Sequence, residues 1–297
     1  MREILTSPRI LDLKRKKKRE HARLVVLFSI LFISIVGSTA YFSAHPRVTI
    51  NAIEVVGTKI INSSDIEKTV KEHLSGRYFY LFSRANAFLY PHDHIYIDLL
   101  DLFPRIESLS VERTSINKLR IQITERIGSH LYCGTAPIDS STYGDENCYF
   151  INDDGYIFDR APYFSGDVYF KFYGPLLELK EGEVVSQESP LGRHMLSVER
   201  FHEIVGFIEG LKTLGFYPIG LSMGDDGGNT ITLFRAQGAG HPIILFRNDN
   251  DLGEIFENLS VSMNKPEFRN EIQSKYNTLL YIDLRFKNKV LYKFNDE

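Results

Sequence analysis

The fold of this chain is set first by one uncharged run, Leu24–Ala44, which reads LVVLFSILFISIVGSTAYFSA. As a helix, these 21 residues extend for about 31 Å, close to the roughly 30 Å thickness of a bilayer's hydrocarbon core. Basic residues precede the run, at Lys14-Arg15-Lys16-Lys17-Lys18-Arg19 and at Arg23, and such flanks remain in the cytoplasm. The sequence therefore predicts a basic cytoplasmic tail over residues 1–23 and a transmembrane helix over residues 24–44.

A cleaved signal peptide is the alternative explanation of the same run. Ser38-Thr39-Ala40 has the small-x-small pattern of a cleavage site. The long basic region, and an apolar run that exceeds the usual 7–15 residues or so of a signal core, favour a retained anchor. Both explanations place the chain from about residue 45 onward outside the cytoplasm.

Composition and charge narrow the class of protein. The chain has 297 residues, of which 43% are hydrophobic and 25% charged, and this is typical of a globular protein with a sizeable core. Residues 1–23 carry a net charge of +6 and the remainder a net charge of −9. The acidic remainder argues against a nucleic-acid partner, because phosphate binding needs a positive surface. Two cysteines are too few for a zinc ribbon or an iron–sulfur site.

Strand and helix signals alternate after the anchor. An extended stretch containing Ile53 and Val55 ends at Gly57. Ser64 and Glu67 are spaced as a capping box at the start of a helix. That helix is expected to bury the residues of one face, which are Ile66, Val70 and Leu74.

A second helix and two strands complete this block. The helix is predicted over His92–Leu102 with Ile95, Leu99 and Leu102 facing inward, and Pro104 follows it. Apolar and polar residues then alternate in two strands, which predicts half-buried β-structure with a turn around residues 114–117. The apolar positions of these strands are Leu109, Val111, Leu119, Ile121 and Ile123.

The order strand, helix, helix, strand, strand directly after an anchor resembles a POTRA domain. The resemblance covers residues 48–126 and rests on Ile53-Glu54-Val55-Val56-Gly57, Ser64, Phe103-Pro104 and Glu125-Arg126. It implies a small α/β module, and most of these residues are core or turn positions. Nothing in the block indicates catalysis.

Residues 127–297 are predicted to form a mixed, mostly antiparallel β-domain with flanking helices, so the fold class of the whole chain is α+β. Residues 149–158 are predicted to form a β-hairpin, because Asp154-Gly155 is a typical turn between two paired strands. An amphipathic pattern predicts a helix over residues 194–214, with Met195, Val198, Phe201, Val205, Ile208 and Leu211 on one face. The remaining predicted elements are strands 168–173, 231–234, 243–246, 279–286 and 289–294, and a helix from Asp251 to about Met263.

The complete layout resembles the FtsQ/DivIB family of bacterial cell-division proteins. Within residues 127–297, the hairpin Ile151–Phe158 and the segments Tyr281–Phe286 and Asn288-Lys289-Val290 carry the likeness. The resemblance implies a non-enzymatic membrane scaffold of the divisome that binds two single-span proteins, FtsB and FtsL. It also implies a position in the plasma membrane at the division septum. The alternative from another class is an envelope-anchored enzyme or sensor that carries a POTRA module.

Catalytic and metal sites find little support in the sequence. His92 and His94 lie two apart, so on a helix they point to different faces. Gly224–Asn229 lacks the ligand spacing of a calcium loop, and Gln237–His241 lacks the Gly-Lys-Ser/Thr of a phosphate loop. Signatures of serine hydrolases, zinc proteases and kinases are absent. We expect no cofactor, metal ion or small-molecule substrate, and no enzymatic activity.

Cys133 and Cys148 are candidates for a disulfide. They flank a polar 14-residue loop between two predicted strands and lie outside the cytoplasm, where disulfides persist. Adjacent antiparallel strands bring Cα atoms within bonding range. Two independent reduced thiols are the alternative.

The last predicted strand, 289–294, is the candidate working surface. At a sheet edge, it would offer unpaired backbone groups to an added strand, and the family resemblance implies that the FtsB-type partner binds in this region. Tyr292 is the expected anchor, while Lys289 and Lys293 are suited to acidic groups. An ordinary edge protected by its lysines is the alternative. The candidate partner-binding residues are Asp283, Arg285, Lys289, Val290, Leu291, Tyr292, Lys293 and Phe294.

Overall fold

The structure is a computed structural model that describes residues 8–135, 147–164, 166–178, 189–224, 226–237 and 240–295. The chain divides into two compact units, Met1–Glu125 and Arg126–Glu297. The predicted loop between the cysteines lies largely outside the described residues, as do residues 1–7 of the predicted tail. Asp225, Gly238 and Ala239, which belong to the predicted turn and loop of the second unit, also lie outside them.

The first unit begins with one long helix, α1, Pro8–Ser43. Its apolar part, with the basic turns before it, runs over Arg15–Ser43 and is the one helix among the described residues that is long and apolar enough to cross a membrane. The predicted span 24–44 coincides with the end of this helix. Its apolar side chains, such as Phe28 and Phe32, are exposed.

A three-stranded sheet covered by two helices forms the rest of this unit. The sheet has the order β1-β5-β4, with β1 parallel and β4 antiparallel to the central strand. The predicted order of strands and helices is confirmed, and a short hairpin, β2–β3, lies between the helices. The elements are β1 Ala52–Val56, α2 Ser63–Leu74, β2 Arg77–Tyr78, β3 Phe82–Ser83, α3 His92–Leu102, β4 Ile106–Ser115 and β5 Lys118–Glu125.

The core of the first unit contains the predicted faces of both helices. Ile66 and Val70 of α2 are fully buried, as are Ile95 and Leu99 of α3. Leu102 was expected to face inward, but it is 62% exposed, because it is the last residue of its helix.

The predicted capping box is wrong. Helix α2 begins at Ser63, and Asn62 occupies the N-cap position, where its side-chain oxygen accepts a hydrogen bond from the Ser64 N–H at 3.2 Å. Asparagine is among the preferred N-cap residues, and it precedes the expected cap by two positions.

The second unit contains a large, mostly antiparallel sheet in the order β10-β8-β7-β6-β9-β11-β12-β13-β14-β15. Parallel pairs occur between β6 and β9, β9 and β11, and β13 and β14. The strands are β6 His130–Tyr132, β7 Tyr149–Ile151, β8 Tyr156–Arg160, β9 Lys171–Tyr173, β10 Arg193–His194, β11 Pro218–Met223, β12 Gly228–Leu233, β13 Ile243–Arg247, β14 Leu279–Asp283 and β15 Leu291–Phe294.

Three helices accompany this sheet: α4 Val198–Thr213, α5 Leu252–Met263 and α6 Pro266–Ser274. The predicted helix from residue 194 starts later, because His194 belongs to β10 and the Ser197 side chain caps α4. Of the predicted face, Phe201, Ile208 and Leu211 are buried. Ile204 and Phe207 complete the buried face in place of Val198 and Val205, which are partly exposed.

A disulfide joins Cys133 and Cys148. Both cysteines are buried in a small cluster with Leu131 and Tyr173, on the part of the sheet that contains β6 and β9. The bond therefore connects the end of β6 to the residue just before β7.

Candidate partner-binding edge

Strand β15 lies at one end of the large sheet. Within the described residues it pairs with β14 alone, with Leu291 opposite Asp283 and Tyr292 opposite Ile282. The sequence predicts longer strands over 279–286 and 289–294, whereas the structure ends β14 at Asp283 and begins β15 at Leu291. No described strand pairs with the other side of β15, which is an open edge in this part of the chain.

Two backbone hydrogen bonds show which groups of β15 face that edge. The Asn295 N–H donates to the Thr278 carbonyl at 2.7 Å, toward β14, and the Leu284 N–H donates to the Leu245 carbonyl at 2.8 Å, away from β15. Successive backbone N–H groups of a strand point to opposite sides. Leu291 therefore directs its N–H and C=O groups toward β14, whereas Tyr292 directs its own toward the open edge.

Burial alternates along the strand. Leu291 is 46% exposed, and the neighbouring Lys289 and Lys293 are exposed as well. Val290, Tyr292 and Phe294 are partly buried and pack against the main core of the unit. The outward face of the edge is therefore a leucine between two lysines.

The structure places Tyr292 against α6. Its hydroxyl donates to Glu271 Oε2 at 2.7 Å, and its ring packs edge-on against Phe268 with a centroid distance of 5.1 Å. The hydrogen bond lowers the pKa of Glu271 and raises the pKa of Tyr292, because the carboxylate accepts from the neutral phenol. Tyr292 thus holds β15 onto the domain from its inner face.

Asp283 and Arg285 interact with each other at the end of β14. The Arg285 side chain donates to both Asp283 oxygens, from Nε at 2.9 Å and from Nη2 at 2.6 Å, and its backbone N–H donates at 3.0 Å. The Asp283 side chain is only 6% exposed and the Arg285 side chain 45%. Burial raises the pKa of Asp283, but the hydrogen bonds from Arg285 outweigh burial, so that pKa lies below its ordinary value.

The turn between the two strands adds side chains that the sequence analysis missed. Asn288 has a φ of 56°, in the left-handed region, and the Lys289 N–H donates to the Phe286 carbonyl at 3.3 Å. Phe286 is 51% exposed beside the exposed Lys287. The open edge and this turn therefore combine two exposed apolar side chains, Phe286 and Leu291, with several cations.

Helix α6, with Phe268 and Glu271, was also missed. Pro266 at its first position is a typical helix-start signal, and Glu271 and Lys275 lie four residues apart with their charged atoms at 3.4 Å. These signals are present in the sequence, but the segment has few apolar positions.

The histidine pair considered as a metal site is exposed. His92 Nδ1 lies 2.9 Å from Asp93 Oδ1 of the next residue. Nowhere in the described part of the chain do three or more His, Cys, Asp or Glu side chains come together in a group that could hold a metal ion.

A comparison with family models matches residues 48–126 to the POTRA domain, FtsQ-type. The match covers this one domain and supports an FtsQ/DivIB-type protein. The FtsQ-type POTRA domain belongs to a non-enzymatic family of cell-division proteins. Together with α1, it fits a single-pass membrane protein. Among curated proteins, no relative matches the chain.

In the FtsQ-type POTRA domain, two of the motif residues have clear structural roles. Gly57 has a φ of 91°, and a Cβ atom there would lie 2.0 Å from the Ile123 carbonyl oxygen, so only glycine fits. Glu125 accepts hydrogen bonds from the backbone N–H groups of Lys59, Ile60 and Ile61, at 2.6 to 3.0 Å for its nearer oxygen. These residues therefore shape the domain.

Proposed function

We propose that this chain is a single-span membrane scaffold of the bacterial divisome that recruits FtsB/FtsL-type single-span proteins by protein–protein contact. The open edge of β15 is the observation that carries the proposal. It combines unpaired backbone groups with an exposed leucine and flanking cations, in a chain that also contains an FtsQ-type POTRA domain and an apolar helix.

Strand addition is the mode of binding that this edge supports. An incoming strand would pair with the outward N–H and C=O groups of Tyr292 and Phe294, which supply affinity through the backbone. Leu291 would give register on the outer face, and Val290 would contribute at the start of the strand. Arg285, whose side chain is held by Asp283, would contact the end of the partner strand that lies beside the β14–β15 turn.

The lysines of the edge have a double effect. Lys289 and Lys293 protect an unpaired edge from pairing with unrelated strands. A strand without acidic residues would remove water from the two ammonium groups and offer no opposite charge in return. An acidic partner strand removes this cost. The protected edge and the binding edge are then the same surface, selective for a partner with acidic residues at matching positions.

The alternation of the backbone gives a sharp test. Tyr292→Pro removes an N–H that faces the open edge and leaves the bonds to β14 in place. Tyr292→Ala removes the same side chain, including its bond to Glu271, but keeps the N–H. We expect the proline variant to lose capture of an FtsB-type partner and the alanine variant to retain it.

Circular dichroism of both variants checks that the sheet is intact. Equal capture by Tyr292→Pro and Tyr292→Ala would exclude strand addition at this edge. A proline at Leu291 is a poorer test, because the Leu291 N–H faces β14, so that variant damages the sheet itself.

The topology of the scaffold is part of the proposal. Residues 1–23 would stay in the cytoplasm and 24–44 would span the membrane. The POTRA domain, 48–126, and the FtsQ/DivIB-like β-domain, 127–297, would lie outside. Protease added to cells stripped of their wall should degrade the chain after residue 45 and spare the tail. A mature N-terminus at Tyr41 would contradict the retained anchor.

Location in the cell separates the scaffold from an envelope-anchored enzyme or sensor. A fluorescent fusion of a division scaffold should form a band at mid-cell. An even signal around the envelope would contradict the proposed role.

A further inference from the structure

The turn between β2 and β3 exposes large apolar side chains in an unusual way. Phe79 and Tyr80 are 87% and 94% exposed, and Leu81 after them is 43% exposed. Phe79 and Tyr80 have φ values of 49° and 62°, in the left-handed region that bulky residues rarely occupy. We call residues 79–81 the aromatic turn. Two adjacent aromatic rings held this far from any core are a candidate contact surface.

The aromatic turn is fixed beside the end of the apolar helix α1. The Ser83 N–H donates to Ser43 Oγ at 2.9 Å, and the Asn86 side-chain amide donates to the Ser43 carbonyl at 2.9 Å. Ser43 and Asn86 are both buried, although Ser43 is the last residue of α1. Tyr41 and Ala44 border a cleft whose other side includes Arg77 and Leu81.

A second pair of exposed apolar side chains lies close to the junction between Ser43 and Asn86. Phe88 and Leu89 are 68% and 44% exposed. The Phe88 N–H donates to Asn86 Oδ1 at 2.9 Å, and the Arg113 guanidinium lies over the Phe88 ring, 4.9 Å from its centre. Asn86 therefore connects the end of α1 to this pair as well as to the hairpin.

We propose that the aromatic turn and the pair Phe88-Leu89 rest in the interface of the bilayer that α1 spans, at its Ser43 end. Tyrosine is enriched where hydrocarbon meets the headgroups, because its ring is apolar and its hydroxyl remains hydrated. Phenylalanine and leucine side chains insert their apolar groups from the same level of the membrane. Arg77 and Arg84 flank the turn and are suited to lipid phosphates. Arg84 lies 5.3 Å from the centre of the Tyr78 ring.

Continuity with α1 selects a bilayer as the occupant of this surface rather than a peptide. The apolar side chains of α1 are exposed as far as Phe42, which is 63% exposed, so the lipid that covers them ends within a few residues of the Ser43 junction. A contact fixed by hydrogen bonds at that junction lies at the level where the membrane surface must be. The first unit would then be seated on the membrane and not carried on a free linker.

Tryptophan fluorescence of the full chain in vesicles tests this directly, because the sequence contains no tryptophan. We would place single tryptophans by Tyr80→Trp and by Phe88→Trp. The matched control is Ile60→Trp, since Ile60 is 68% exposed. Ile60 follows the C-terminal end of β1, whereas the junction with α1 precedes the N-terminal end of that strand. The vesicles would contain phosphatidylethanolamine and phosphatidylglycerol, with and without bromine in the acyl chains.

We expect blue-shifted emission and several-fold stronger quenching by brominated lipid for Tyr80→Trp and Phe88→Trp than for Ile60→Trp. Quenching of the first two no stronger than that of Ile60→Trp would overturn the proposal. A surface covered by a second copy of the chain would show a blue shift that disappears on dilution of protein in lipid, without bromine quenching, and this result would also overturn it. Because all three sites are exposed, each variant should fold, and circular dichroism verifies this.

Discussion

In the two units of this chain, segments that are distant in sequence are joined by different kinds of bond. In the first unit, Glu125 at the end of β5 accepts backbone N–H groups that lie 64–66 residues earlier, in the loop before α2. In the second unit, a disulfide joins Cys133 to Cys148 across 15 residues. The first closure depends on the charge of one carboxylate and the second on oxidation. The two units should therefore respond to different stresses.

A second contrast concerns two buried carboxylates of the described residues, Glu125 and Asp283. Burial raises the pKa of Glu125, but backbone hydrogen bonds outweigh burial and that pKa lies below its ordinary value. Asp283 reaches the same state through Arg285, two residues away. Glu125 therefore stabilises tertiary structure, whereas Asp283 stabilises the local end of a strand.

The largest expected effect is loss of the disulfide. The double variant Cys133→Ala, Cys148→Ala should lower the free energy of unfolding of the second unit by about 3 kcal/mol, as the chain-entropy model gives for a loop of this length. Hydrogen exchange measured by mass spectrometry should show faster exchange in the second unit alone. Uptake of a thiol reagent by both cysteines of the denatured, unreduced wild-type chain would contradict the bridge itself.

The next effect is that of Glu125→Gln. The amide retains the shape of the side chain but loses the charged acceptor shared by three N–H groups, and we expect the first unit to lose about 2 kcal/mol. Glu107→Gln, at an exposed position of β4, is the matched control. Hydrogen exchange should separate them, with faster exchange around β1, α2 and β5 for Glu125→Gln only. Equal hydrogen exchange in the two variants would show that the Glu125 carboxylate does not stabilise the first unit.

Acid should reduce the difference between wild type and Glu125→Gln. Because the folded-state pKa of Glu125 is depressed, its contribution is complete above the unfolded-state pKa, about 4.3, and is lost as pH falls through the folded-state pKa. Chemical denaturation from pH 7 to pH 3 should show the gap in unfolding free energy closing in that range. A gap independent of pH would show that charge is not the cause.

The smallest expected effect is that of Asp283→Asn. Arg285 is partly exposed and finds water, so the loss should be about 1 kcal/mol and confined to the end of β14 and the following turn. Asp249→Asn is the control, because Asp249 pairs with Arg247 in the same two-residue spacing but is 74% exposed. It should change stability by about 0–1 kcal/mol. Stability curves from urea denaturation would contradict this order if Asp249→Asn cost more.

How much of the fold could be predicted follows from the length and regularity of its elements. Helix His92–Leu102 and the alternating strand β5 have clear periodicity, and both were located correctly. The hairpin β2–β3 has two residues in each strand, and α6 is short and polar, so neither gives a periodic signal.

The position of the candidate site on an edge strand could be predicted from the sequence, whereas the contacts that hold this strand on the domain could not. A terminal strand with alternating lysines indicated an edge, and the structure places β15 there. The bond from Tyr292 to Glu271 joins an edge strand to a helix that the sequence did not reveal. The hydrogen bonds to Glu125 could not be predicted from the residues at the donor end, because backbone N–H groups are the donors and every residue except proline supplies one.

The hydrogen bonds at Ser43 have a mechanical consequence. A membrane-spanning helix that is longer than the local hydrocarbon thickness adjusts in part by tilting. Since Ser83 and Asn86 donate hydrogen bonds to the last residue of α1, we expect a change of tilt to rotate the POTRA domain with the helix. The orientation of that domain should therefore follow local bilayer thickness, so that lipid composition becomes a variable in how it is presented.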